Sequence, residues 1–208
     1  MEAERVQALF TRADGRFLCA RWGRPIVPVV FGVEDATLSV VKGAVEAVVA
    51  LAGHRMAETD PELGANLMIF FFRDWAELPE VPNLDRLVTG LRDLCARLEA
   101  AEANQYRIFR FDEAGAIRAA FVFIRMDDHL AAVPVETLAL SQAVQVILLW
   151  SDRAFADQAP LAAGKEGVVM LRPEIAAVIR AAYDPVLPGM AQDPSHALRL
   201  VARIAAVQ

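Results

Sequence analysis

Residues 66–72, Asn-Leu-Met-Ile-Phe-Phe-Phe, set six apolar side chains in a row before Arg73 and Asp74. Such a run, with three adjacent phenylalanines, suits an extended chain with no solvent face, so it reads as a fully buried strand. A second β-rich segment, residues 25–31, precedes it and stops at Gly32. Between the two, Asp35 or Thr37 is placed to cap a helix that runs to about Leu51 and closes at Gly53. Its residues Leu38, Val41, Val45, Val48 and Val49 recur at helical spacing.

The same rules extend along the chain. Residues 1–16 predict a short helix and a turn at Asp14-Gly15. Asn83 is placed to cap a helix over residues 84–103, with Leu87, Leu91, Leu94 and Leu98 as its apolar stripe. Residues 106–111 alternate, turn at Asp112–Gly115 and return over 117–125, which is a hairpin signal. Pro134 starts a long apolar helix over residues 135–150. A turn at residues 164–167, an extended piece at 168–171, a helix from Pro173 and a last helix capped by Asp193-Pro194 follow. The predicted class is α+β: a mixed sheet with packed helices, then a mostly helical C-terminal part. One domain is expected over 1–208, with an α/β part at about 17–150 and a helical part at about 151–208.

Composition narrows the function. The apolar fraction of 56% is high for a chain of this size and implies a large core. The most apolar stretch is interrupted by Glu136, Gln142 and Gln145, so no membrane span is expected. A net charge of −6 argues against nucleic acid as a partner. Lys42 and Lys165 are the sole lysines among many arginines, the usage of a GC-rich bacterial genome. Cys19 and Cys95 match no metal or redox spacing and read as buried thiols. The first residues, Met-Glu-Ala-Glu-Arg, carry no basic or apolar leader pattern. The expectation is a cytoplasmic protein, or a periplasmic one if a leader has been removed.

The long helix, read together with residues 183–190, holds the most informative pattern. Ser141-Gln142-Ala-Val-Gln145 has the spacing of the H-E-x-x-H helix of zinc peptidases, with all three chemical residues replaced. Positions 141 and 145 share one helix face, where two imidazoles would grip a metal. Together with Arg21-Trp22, residues 25–32, Ser151-Asp152 and the motif Tyr183-Asp184-Pro185-Val-Leu-Pro-Gly189-Met190, this pattern resembles a bacterial zincin-like, metallopeptidase-related family. The element order β-α-β-α-β-β-α also looks like the zincin N-terminal part. The resemblance implies a substrate groove between an edge strand and this helix, in a family that is often exported. It also exposes the departure. A glutamate would polarise a zinc-bound water, whereas Gln142 cannot accept that proton. Ser141 and Gln145 are poor zinc ligands.

The expected function is therefore a non-catalytic, zincin-like binding protein (a pseudo-peptidase) with no cofactor or metal. Its expected partner is a protein, a peptide or a second copy of itself. The candidate groove residues are Ser141, Gln142 and Gln145, with Asp127, Asp128 and His129 beside them. The edge strand is expected near residues 117–124, and Gln145 is expected to hydrogen-bond to the strand-end region or to ordered water. Two alternatives stand beside this reading. One is a hydrolase using a non-standard site at Asp127, Asp128 and His129. The other is a structural subunit of a bacterial complex. His54 and His196 read as surface residues, and Ser195 and His196 are too close in sequence to face each other as nucleophile and base. The Tyr183–Met190 motif reads as a helix stop and packing turn. No G-x-S-x-G is present, and Gly164-Lys165-Glu166 lacks the pattern of a phosphate loop.

Overall fold

The computed structural model describes residues 2–164 and 168–206. In chain order, α1 (Ala3–Ala8), β1 (Cys19–Ala20), β2 (Pro28–Phe31), α2 (Asp35–Leu51) and β3 (Leu67–Phe72) lead to a 3-10 helix (Trp75–Glu80). Then come α3 (Leu84–Leu87), α4 (Leu91–Ala100), β4 (Gln105–Phe111), β5 (Ile117–Arg125), α5 (Asp128–Ala131) and α6 (Val135–Ile147). The chain continues through β6 (Leu161–Ala163), β7 (Val169–Leu171), α7 (Pro173–Ala182), β8 (Met190–Ala191) and α8 (His196–Ala206).

Strands β2, β3, β5 and β4 form one mixed sheet in that order. The first three run parallel, and β4 returns antiparallel along β5 as the outer strand of the hairpin. The apolar run is the interior strand β3, covered on both faces. Leu67, Ile69 and Phe71 join Ala120, Val122 and Ile124 on one face, against α2, α6 and α7. Phe70 and Phe72 join Phe121 and Phe123 on the other, against the 3-10 helix and α4. A strand whose alternating side chains meet two separate cores has no place for a polar residue, which is why its sequence is uninterrupted. Cys19 and Cys95 are free and buried on opposite faces of this sheet, and burial pushes the Cys19 thiol up to about 12.

Four sequence expectations are corrected. The strand over 117–125 is interior, flanked by β3 and β4, so the edges of the sheet are β2 and β4. The helix expected over 84–103 is two helices, because Gly90 takes a left-handed φ of 72° and breaks it. Leu91 and Leu94 keep the stripe while Leu87 swings out to solvent. Asn83 also sits at positive φ and gives no side-chain cap. The fourth is the N-terminus of α2, where the flanking residue is Glu34 and no side chain caps the helix, Asp35 being its first residue. Of the turn expected at 164–167, Lys165, Glu166 and Gly167 lie outside the described residues.

Gly32 ends β2 at φ +79°, with its Cα so close to β3 that a Cβ would lie 1.9 Å from the Phe71 carbonyl oxygen. Gly32→Ala combines left-handed strain with a backbone clash and should cost ~2–4 kcal/mol. Urea unfolding would measure this. A loss under 1 kcal/mol would mean that β2 can move away from β3 freely.

Candidate functional site: a groove between the outer strand and the long helix

Helix α6 lies under the sheet beside α2, and its C-terminal turn is held by three ring donors. The last carbonyls of a helix have no partner within it. Here the Trp150 indole donates to Val144 O at 2.8 Å, the Trp22 indole to Val146 O at 2.8 Å, and the Tyr183 hydroxyl to Ile147 O at 2.8 Å. All three rings are buried. The Tyr183 hydroxyl also accepts the Trp22 backbone N–H, and burial raises its pKa. Satisfied this way, α6 stops at Ile147, three residues sooner than the sequence suggests. Leu148 turns extended, and Leu149 N–H donates to Ala20 O.

The Tyr183–Met190 motif is thereby accounted for as structure. Asp184 accepts the Val186 N–H and lies 3.5 Å from Arg203. Pro185 is exposed, Gly189 lies against Ala116, and Met190 pairs with Ala20 in the β1–β8 ladder. None of these lines the groove described next.

Between β4 and the end of α6 opens a cavity of about 530 Å³. One wall is Gln105, Arg107, Phe109 and Phe111 of β4, and the other is Gln145, Leu149 and Trp150. Arg12, Asp152 and Phe155 close its far end. Of the three candidate helix residues, Gln145 lines this cavity, and Ser141 and Gln142 do not. Leu138 is buried and does not line the cavity.

The two glutamines exchange the roles expected of them. Gln145 donates to Ser141 Oγ at 3.0 Å, on its own helix. Gln142, 2% exposed, is the residue that reaches the strand. Its Nε2 donates to Gln105 Oε1 at 2.8 Å, and its Oε1 accepts from Arg107 Nη2. Arg107 Nη2 also donates to Gln105 Oε1 at 2.9 Å. The reason is geometric: residue 142 faces the sheet, while 141 and 145 share the neighbouring face. Arg107 was not a sequence candidate. Its alternation with Phe109 and Phe111 on one face of β4 was the available signal.

Asp127, Asp128 and His129 do not join this groove. Asp127 is the N-cap of α5, its Oδ1 accepting the Leu130 N–H and its Oδ2 the Asn104 amide. Those bonds hold its carboxyl below the usual range. Asp128 and His129 point to solvent. Among the described residues, no group of three or more His, Cys, Asp or Glu is placed to hold a metal ion. His196 is buried, contrary to expectation, and burial lowers its pKa. His54 is half-buried, its Nε2 2.9 Å from Arg24 O. No described helix is long and apolar enough to cross a membrane.

No family model matches the chain, and neither a curated protein nor a solved structure matches it.

The exchange of roles separates two substitutions. Gln142→Leu strips the half-buried Arg107 guanidinium of an acceptor and should cost ~2–3 kcal/mol. Gln145→Leu loses one bond between two half-buried side chains of the same helix, leaves no distant partner behind, and should stay within ~0.5 kcal/mol. Tyr183→Phe leaves the Ile147 carbonyl buried and unpaired, at a cost of ~1–3 kcal/mol. Thermal melts of the three variants would rank them, and equal losses at 142 and 145 would contradict the assignment.

Proposed function

We propose that this chain is a non-catalytic, zincin-like binding protein whose groove takes an extended peptide by strand addition to β4. The observation that carries this reading is the groove itself, an open cavity with the free edge of an antiparallel outer strand along one side. Backbone pairing supports it. Arg125 N–H donates to Asn104 O, so the alternating ladder turns the N–H and C=O groups of Gln105, Arg107 and Phe109 away from β5. An exposed edge of that kind is a template for another strand, and the phenylalanines of the wall supply apolar contact for its side chains.

The chemistry of the helix argues for binding without hydrolysis. Ser141, Gln142 and Gln145 offer no carboxylate or imidazole, and Gln142 is committed to Gln105 and Arg107. The order of strands and helices, with an antiparallel outer strand beside the long helix, is what a zincin-like ancestry would leave behind. Asp127 is engaged as a helix cap, which removes support from a hydrolase at Asp127, Asp128 and His129.

Amide hydrogen exchange tests strand addition. With a pool of synthetic blocked pentapeptides in excess, exchange should slow at Gln105, Arg107 and Phe109, whose N–H groups face outward. Tyr106 and Ile108, already bonded to β5, should change less. Unchanged exchange along β4 with the pool present would refute the reading. Elemental analysis of protein purified without chelator tests the loss of metal chemistry and should find zinc well below one per chain. One zinc per chain, lost on substituting Asp128 or His129, would favour the hydrolase instead.

A further inference from the structure

Arg107 stands at the centre of the free edge of β4 with no carboxylate beside it. Its Nη2 meets two neutral amide oxygens, Gln105 Oε1 and Gln142 Oε1. Its Nε is enclosed without a partner. Its Nη1 has no hydrogen bond to the described protein, and the side chain lines the cavity. Desolvation pulls its pKa down to about 10, and no neighbouring charge offsets that effect. It remains a cation at neutral pH. Asp152, the acid that shares the cavity, accepts the Ala13 N–H at 3.0 Å. A second arginine, Arg12, lines the same cavity and forms no ion pair among the described residues. A chain of net charge −6 thus keeps two arginines, one of them half-buried, in an aromatic-walled groove. Burying part of a guanidinium without a counter-charge is costly, and the cost is relieved when a carboxylate arrives.

We infer that the groove selects an extended peptide carrying an aspartate or glutamate side chain, which pairs with Arg107. This rests on the strand-addition reading above and names the chemistry of its ligand. A side chain is favoured over a chain terminus by the position of Arg107. Outward-facing residues Gln105 and Phe109 flank it, so a paired strand runs past it in both directions. Residues opposite each other on paired strands share a face, so the ligand residue facing Arg107 projects into the cavity above α6. Gln105 and Gln142 act as positioning residues: they fix the guanidinium and leave Nη1 for the incoming oxygen.

The test uses the whole purified chain, immobilised, and pools of pentapeptides with flanks drawn from Val, Thr, Ala and Ser. One pool, blocked at both ends, carries Glu or Asp at the centre. Its counterpart carries Gln or Asn. A third has the amide centre and a free C-terminal carboxylate. Retained peptides are quantified by mass spectrometry. The acidic pool should be retained about ten- to a hundredfold better than its amide counterpart, the range of a charge-assisted hydrogen bond. Arg107→Met should erase the difference, and Arg107→Lys should keep part of it. The lysine variant and the wild-type comparison decide the matter if the methionine variant fails to fold. Equal retention of acid and amide peptides by the wild type overturns this inference and leaves strand addition standing. An acid preference that survives Arg107→Met also overturns it. Stronger retention of the third pool moves the carboxylate to the peptide terminus and overturns the side-chain assignment. Retention of no pool defeats this inference and the strand-addition reading together.

Discussion

The C-terminal turn of α6 is where the fold is tied together. Its carbonyls would be buried without partners if the helix simply ended there, at a cost of ~1–3 kcal/mol each. Three rings from three distant parts of the chain supply the donors: Trp22 after β1, Trp150 after the helix and Tyr183 at the end of α7. Each bond fixes a different segment. Trp22 brings in the stretch that leads to β2, and Tyr183 brings in the C-terminal helices. Trp150 folds the chain back so that Leu149 pairs with Ala20. The C-terminal part consequently has no core of its own. Ile175, Val178, Ile179, Leu200 and Ile204 belong to the same apolar cluster as α2, α6 and one face of the sheet.

The groove is a consequence of that arrangement. Because α6 stops at Ile147 and the chain turns away extended, space opens between the helix end and β4. Arg107 projects into that space, and its position is set by amides alone. A carboxylate in place of Gln142 would neutralise it, and a hydrophobe would leave it with Gln105 alone as acceptor. Gln142 does neither, so the guanidinium is held in place and keeps its charge.

Local pattern was a reliable guide wherever one side chain's fate depended on its sequence neighbours. The uninterrupted apolar run became β3, the stripe Val41, Val45, Val48 and Val49 became the buried face of α2, and the alternating segment became the hairpin. Gly53 closed α2 at positive φ as its position suggested. Local pattern failed where a residue's role depended on something distant. Asp127 looked like chemistry and is a cap. His196 looked like surface, yet the Phe17 ring packs against it at 6.4 Å between centroids. One exception was local: the helix expected over 84–103 was broken by Gly90 within it, whose tolerance of left-handed φ outweighed a regular leucine spacing.

By itself, the sequence determined the class of fold, the existence of a mixed sheet and the helix face on which 141 and 145 lie. These follow from periodicity, which depends on covalent geometry and side-chain polarity. Only the tertiary structure decided which strand is the edge, because strand order depends on how the crossovers wrap and not on any one strand's residues. It also decided that Gln142, one residue off the expected face, touches the strand. And it alone revealed Arg107 as a cation without a counter-charge. A guanidinium reads as a solvated surface group in any sequence, and desolvation exists only once the chain between residues 107 and 142 has brought α6 beneath β4.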